Sequence, residues 1–265
     1  MKRLLVTILI MALAGCAGMG AKSPVIKEEP IAYRDGSTTL KGFIVYDEAR
    51  QGRRPGILVI HEWWGITPHV RGEARKFAEQ GYTAFVVDMY GNAQTADNPK
   101  DAGKLAGSVI KNPAMMQSRF NAARAELVKH RMVDASRIGA SGYCFGGAVA
   151  INMARAGADL AGVAGFHAGL YVNTPAPKQV KAKILVLNGA ADPLVKPDQI
   201  EAFKRDMDAA KADYRFINYP GALHAFTNPQ ATEIGKKFKI PVAYDPEVDR
   251  QAKAEATKFF AEVFR

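Results

Sequence analysis

Short apolar runs alternate with amphipathic stretches from residue 38 to the C-terminus. Residues 38–46 and 56–61 are rich in β-branched side chains and read as strands. Residues 68–80 read as a helix, with Gly81 placed as its stop. A buried strand follows at 82–87 and ends at Asp88. Residues 92–113 are polar with weak helical periodicity, whereas 114–131 is a stronger helix. The strand at 137–143 runs into a glycine-rich turn and a small-residue helical stretch opening at Phe145. Further strands are predicted at 160–167, 182–188 and 214–219, and helices at 197–210 and 245–264. This alternation predicts an α/β fold: a single domain with a mostly parallel central sheet and helices on both faces. No internal repeat or second domain is visible. The polar segments 92–113 and 228–244 are expected to border the mouth of any site.

The N-terminus follows a different pattern. Lys2 and Arg3 precede an apolar run at 4–13 that is too short to span a bilayer, and Leu13-Ala14-Gly15-Cys16 places small residues before a cysteine. This resembles a bacterial lipoprotein signal. The resemblance implies loss of residues 1–15 and lipidation of Cys16; the Gly-, Lys- and Glu-bearing stretch that follows makes 16–30 read as a tether, and 31–265 as the folded domain. An ordinary secretory signal cut near Ala17 is the alternative. Ala17 rather than Asp after the cysteine implies, by the same resemblance, the outer membrane, with several acyl chains needed for stable anchoring. The membrane is then met through this lipid only, and the protein faces the periplasm.

Charge and cysteine count narrow the partners. The formal charge is +10, and removing Lys2 and Arg3 lowers it by two. The basic residues are scattered rather than gathered in a stripe with aromatics, so nucleic acid is a poor partner. The chain has two cysteines. If Cys16 carries lipid, Cys144 is the only thiol and no disulfide can form, even in an oxidising compartment.

Cys144 lies in Gly142-Tyr143-Cys144-Phe145-Gly146-Gly147, between a strand and a helix. That is the setting of a nucleophile elbow, with Cys where the usual pattern has Ser. The turn forces a strained backbone at the nucleophile and requires small neighbours two residues away, which Gly142 and Gly146 supply. A helix opening at Phe145 turns its free N–H groups and positive dipole end toward the sulfur and favours thiolate. Asp192 and His224 each follow a predicted strand, and the order Cys…Asp…His is that of α/β-hydrolases. In such a site His224 moves the proton, and Asp192 holds the tautomer and stabilises the cation. Singly, these residues have blander readings: a buried Cys in a tight turn, a helix-starting Asp and a surface His. Together they favour nucleophilic chemistry.

His61-Glu62-Trp63-Trp64-Gly65 follows the strand at 56–60, where this fold places the second oxyanion donor. The N–H groups of Trp63 and Phe145 would then stabilise a tetrahedral oxygen. Gly65 stands where H-E-x-x-H would need its second His, so no metal is expected, and no cofactor. Trp63, Trp64, Tyr90, Tyr143, Phe145 and Phe226 are candidates for an apolar pocket wall, some of them simply core. His69 and His130 fall on predicted helices and read as surface residues. His167 ends a strand near the site and reads more simply as structure than as a substrate contact.

With the elbow, Asp192, His224 and Glu62 in place, residues 40 to the C-terminal helix resemble the dienelactone hydrolase family, α/β-hydrolases with a Cys-His-Asp triad. The resemblance implies that Glu62 sits beside the thiol, holds it at rest and exchanges its proton when substrate binds; a structural salt bridge is the alternative for this residue. It also implies arginines gripping a substrate carboxylate at two positions, which here are Asn92 and Asn228. An Arg-to-Asn change removes charge and bidentate geometry together. The expected activity is therefore hydrolysis of a small, neutral carboxylic ester, lactone or thioester through an acyl-thioenzyme at Cys144. The expected contacts are Trp64, Tyr90, Asn92, Tyr143, Phe226 and Asn228. The alternatives are a ligand-binding envelope lipoprotein that has lost turnover, and acyl transfer to an acceptor other than water.

Overall fold

The computed structural model describes residues 23–171 and 177–265. Strands β1 (Ile26–Asp35) and β2 (Thr38–Asp47) form an antiparallel hairpin. They are followed by β3 (Arg54–Ile60), β4 (Thr83–Val87), β5 (Val133–Tyr143), β6 (Gly162–Phe166), β7 (Lys183–Gly189) and β8 (Tyr214–Tyr219). One eight-stranded sheet results, in the order β1-β2-β4-β3-β5-β6-β7-β8. The hairpin joins β4 antiparallel, and every pairing from β4 to β8 is parallel.

Among the described residues, seven helices cover the two faces: α1 (Pro68–Glu79), α2 (Pro99–Ile110), α3 (Pro113–Lys129), α4 (Phe145–Arg155), α5 (Pro197–Ala209), α6 (Ala231–Phe238) and α7 (Pro246–Val263). Because successive strand side chains point to opposite faces, each central strand feeds two cores. Leu58 and Ile60 of β3 join Phe120, Leu127 and Val149 on the α3/α4 side. Ile57 and Val59 join Phe77, Phe259 and Phe260 on the α1/α7 side. Strands buried on both faces have to be apolar throughout, which is why they stand out in the sequence.

Two elements depart from expectation. β1 begins at Ile26, so the folded domain takes in residues read as tether. Only Tyr33 of this edge strand is buried, and a mostly solvated strand carries little apolar signal. α6 falls within a stretch read as polar; it is short, with a glycine and two lysines among its eight residues. The expected signal peptide and Cys16 lie outside the described residues.

The chain leaves β3 toward β4 on one side, and β5 returns to pair with β3 on the other. That reversal makes a crevice beyond the carboxyl ends of β3 and β5, where ligands bind in open α/β sheets. Ile60 is in register with Gly142, so Glu62 and Cys144, each two residues further on, emerge side by side.

The first five residues of β1 pair with Phe43–Asp47 of β2, and Glu28 binds Arg71 and Arg75 of α1. A chain beginning at residue 31 loses all of these contacts. We expect it to melt on the order of 5–10 °C below one beginning at residue 23. Equal melting temperatures in differential scanning calorimetry would return the domain boundary to residue 31.

Candidate active site

Cys144 sits between β5 and α4 with φ 54° and ψ −115°. A non-glycine residue in that region costs about 1–3 kcal/mol and persists only where its surroundings impose it. They do so here. The Cys144 N–H donates to the Phe166 carbonyl at 3.0 Å, and its own carbonyl accepts from Ala148 at 3.1 Å. A Cβ on Gly142 would lie 2.1 Å from the Gly146 oxygen, and one on Gly146 would lie 2.3 Å from the Ile60 oxygen. Both glycines are fixed by close backbone approach. Phe145 is the first residue of α4, so the helix opens immediately beside the thiol.

His224 follows β8 and Asp192 follows β7. Nδ1 of His224 meets Oδ2 of Asp192 at 2.6 Å, and both residues are buried. Asp192 is steadied through Oδ1, which accepts from the Leu194 N–H at 2.8 Å. The Ala243 N–H donates to the His224 carbonyl at 3.1 Å, tying the histidine loop to the segment between α6 and α7. His224 Nε2 is buried without a hydrogen-bond partner of ordinary geometry among the described residues, and it shares two cavities with Cys144. Burial disfavours the imidazolium. The negative charge of a Cys144 thiolate, aided by Asp192, outweighs that effect and raises His224 from 6.5 to about 10.

Glu62 is 2% exposed. Its Oε2 accepts from the Asn228 side-chain amide at 2.7 Å and lies 3.3 Å from His69 Nδ1. The backbone around it is pinned by His61. Met89 N–H donates to His61 Nε2, which leaves Nδ1 protonated and donating to the Glu62 carbonyl at 2.6 Å. Trp63 is held in turn by Tyr90, whose hydroxyl donates to the Trp63 carbonyl at 2.9 Å.

Two small cavities meet at Cys144. One, of about 190 Å³, runs from Glu62, Trp64 and Asn228 to Ile234 of α6 and the segment 240–242. The other, of about 180 Å³, runs from Trp63 and Phe145 to Ile110 of α2 and Tyr171. Cys144, His224, Trp63 and Leu194 line both. Most of this lining is apolar.

Not every expected residue is here. Trp64 and Asn228 line the first cavity, but the Asn228 amide is engaged at both ends, by Glu62 and by the Gln230 N–H. Asn92 is exposed, has φ 53° and lines neither cavity. Tyr143 and Phe226 belong to the α1/α7 core. The Tyr143 ring stacks on Phe166 and its hydroxyl donates to Glu73 at 3.2 Å. Tyr143 points away because consecutive residues of a strand face opposite sides, and Cys144 takes the other. Tyr90 acts as a prop for Trp63 rather than a cavity wall.

His167 is buried, and its Nε2 meets the Thr227 hydroxyl at 2.8 Å; burial pushes its pKa well below the ordinary value. It lines neither cavity. His130 packs on Tyr46, away from the site. His69 is the residue the sequence reading missed: its side chain is 5% exposed and it faces Glu62. The signal was available in the phase of α1. Val70, Glu73, Ala74 and Phe77 form its buried face, and His69 stands one turn before Glu73.

The fold and the placement of Cys144, Asp192 and His224 after β5, β7 and β8 define the class, an α/β-hydrolase. Residues 40–264 match the model of the dienelactone hydrolase family, and the chain belongs to that family. It is 28% identical over 185 residues to "Protein usf" of Aquifex pyrophilus, covering 68% of this chain and 80% of that one. A relative in Aquifex aeolicus with a provisional carboxymethylenebutenolidase name is 28% identical over 211 residues, covering 78% and 87%. The solved structure of a dienelactone hydrolase-like promiscuous phosphotriesterase from metagenomic libraries superposes with a TM-score of 0.85. It is 30% identical and covers 91% of this chain and 99% of that one.

The raised His224 pKa has a checkable sign. A histidine lifted from 6.5 contributes stability that is complete below about pH 6.5 and lost as the pH climbs through about 10. We expect the His224 ring to titrate near pH 10 by NMR, and clearly lower in Cys144→Ala, where the thiolate is gone. An unchanged midpoint in that variant would show that Cys144 does not charge the imidazole.

Proposed function

We propose that the protein hydrolyses small, neutral carboxylic esters or lactones through an acyl-thioenzyme. The observation that carries this reading is the strained Cys144 at the junction of two apolar cavities, with the buried His224–Asp192 pair on the same walls. Cys144 Sγ attacks the carbonyl carbon, and the N–H groups of Trp63 and Phe145 receive the negative oxygen. Collapse breaks the ester C–O bond, and the leaving alkoxide takes a proton from the His224 imidazolium. Neutral His224 then removes a proton from water, whose oxygen attacks the thioester. The acid leaves, and the proton on His224 restores the ion pair with the thiolate.

Substrate charge follows from the lining. Neither cavity is lined by Lys or Arg; the charged groups at the thiol are Glu62 and the His224 imidazolium, and the latter's charge is already matched by the thiolate and Asp192. With Asn92 turned outside and the Asn228 amide engaged, nothing offers a carboxylate the bidentate grip of an arginine. Cavities on both sides of Cys144 suit an apolar acyl group on one side and an apolar alcohol, or the far arc of a lactone ring, on the other.

A panel of short esters and lactones, with a dienelactone carboxylate among them, tests this reading. Turnover is expected to fall at least about a thousandfold in Cys144→Ala, with neutral members preferred. Preference for the dienelactone would refute the charge argument. Full turnover in Cys144→Ala would refute the nucleophile.

We further propose that Cys16 is lipidated and anchors the enzyme in the envelope, facing the periplasm. Support comes from the basic start, the short apolar run and Leu13-Ala14-Gly15-Cys16. Labelled palmitate should enter the full chain and not Cys16→Ser; equal labelling of both would point to another anchor or to none.

A further inference from the structure

Glu62 is the front end of a file of charged side chains that runs from the Cys144 cavity to the α1/α7 face of the protein. His69 Nδ1 lies 3.3 Å from Glu62 Oε2, and His69 Nε2 lies 3.8 Å from Glu73 Oε1. Glu73 Oε1 also takes Lys76 at 2.9 Å and Lys253 at 3.0 Å, and Lys253 reaches Asp249 at 2.6 Å. The side chains of Glu62, His69 and Glu73 are 3%, 5% and 5% exposed. His69 is thus an imidazole buried between two carboxylates.

Every neighbouring element contributes to its surroundings. Glu62 and Asn228 come from the loops around the cavity, and Glu73 and Lys76 from α1. The end of β5 supplies Tyr143, whose ring edge contacts the imidazole at 5.3 Å. Thr227 places its hydroxyl 3.5 Å from Nε2 and bridges to His167, with His224 beyond. Lys253 and Asp249 come from α7. Across the file, Glu62, Glu73 and Asp249 face Lys76 and Lys253, so the charges balance only if His69 carries one. A buried carboxylate is strongly disfavoured once its counter-charge is removed.

We propose that His69, as an imidazolium, is the fixed counter-charge of Glu62, a positioning residue that keeps this carboxylate ionised and aligned beside Cys144. The family resemblance puts an arginine where Asn228 stands; here Asn228 supplies a neutral hydrogen bond to Glu62 and His69 supplies the charge. The directions of titration agree. Burial alone would raise Glu62, but the His69 charge, with the Asn228 hydrogen bond, brings it below the ordinary carboxyl value. Burial alone would lower His69, but Glu62 and then Glu73 hold it above the ordinary imidazole value. The proposal rests on the reading of Glu62 as part of the site, but not on turnover.

Two measurements on the whole protein test it without a substrate. The first is nitrogen-15 NMR of the histidine rings. Both His69 nitrogens are expected in the protonated range at pH 7 in the parent chain, and the ring should titrate lower in Glu62→Gln. A neutral His69 at pH 7 in the parent chain, or an unmoved titration in Glu62→Gln, overturns the proposal. The second is the rate of Cys144 alkylation against pH. In His69→Gln, Glu62 loses its cation, so burial is no longer offset and its pKa rises. A new inflection should therefore appear, absent from the parent chain and from the double variant His69→Gln/Glu62→Gln. A uniform fall in rate with an unchanged pH profile would make His69 a packing residue and overturn the proposal. Should His69→Gln fail to fold, the NMR comparison decides alone. Both readouts remain valid if the esterase reading fails, since neither requires acylation.

Discussion

The contact between Gly146 and the end of β3 governs the rest of the site. With the Ile60 oxygen only 2.3 Å from where a Cβ would sit, α4 lies tight against β3, and the polypeptide must turn at Cys144 with a positive φ to enter that helix. The strain, the exposure of the sulfur at a helix N-terminus and the proximity of Glu62 are consequences of one close approach. Parallel pairing of β5 with β3, and of β6 with β5, holds it in place from both sides. A strained residue can be kept there because the sheet beneath it is apolar on both faces and packed throughout.

Around this point the protein keeps two electrostatic systems apart. On the cavity side, the His224 imidazolium lies between the Cys144 sulfur and Asp192. On the far side, the imidazolium proposed for His69 lies between Glu62 and Glu73. Glu62 stands where the two meet. Each buried carboxylate has a cation or amide against it, as a low-dielectric interior demands. In neither system is the cation an arginine, which distinguishes this chain from the carboxylate-gripping arrangement that the family resemblance implies.

How far the sequence disclosed this depended on where each element sits. Central strands such as β3 and β7, buried on both faces, appear as unbroken apolar runs. The elbow was legible because close backbone approach leaves glycine as the fitting residue at 142 and 146. Asp192 was legible because it follows such a strand, and His224 because it follows the strand at 214–219 and completes the order Cys…Asp…His. The wall residues were not. Tyr143 is adjacent in sequence to Cys144 and yet faces the other core, since adjacency at a strand end implies opposite sides; Phe226, in the loop after β8, also packs into that core. Asn228 lies in the cavity wall, but its amide turns to Glu62, a partner far away in sequence. His69 lies on a predicted helix and reads most simply as a surface residue, while the phase set by Val70, Glu73 and Phe77 turns it inward.

β1 was hidden for a reason with its own consequence. It is an outer strand, with β8 at the other edge of the sheet, and an outer strand presents unpaired backbone groups to which a second chain can add. Lys27, Glu28, Glu29 and Pro30 lie in succession along it. Three charges discourage an incoming strand from giving up its water, and proline withholds one of the N–H groups that such a strand would need. The polarity that makes β1 resemble a linker in the sequence thus serves as a guard against edge-to-edge aggregation.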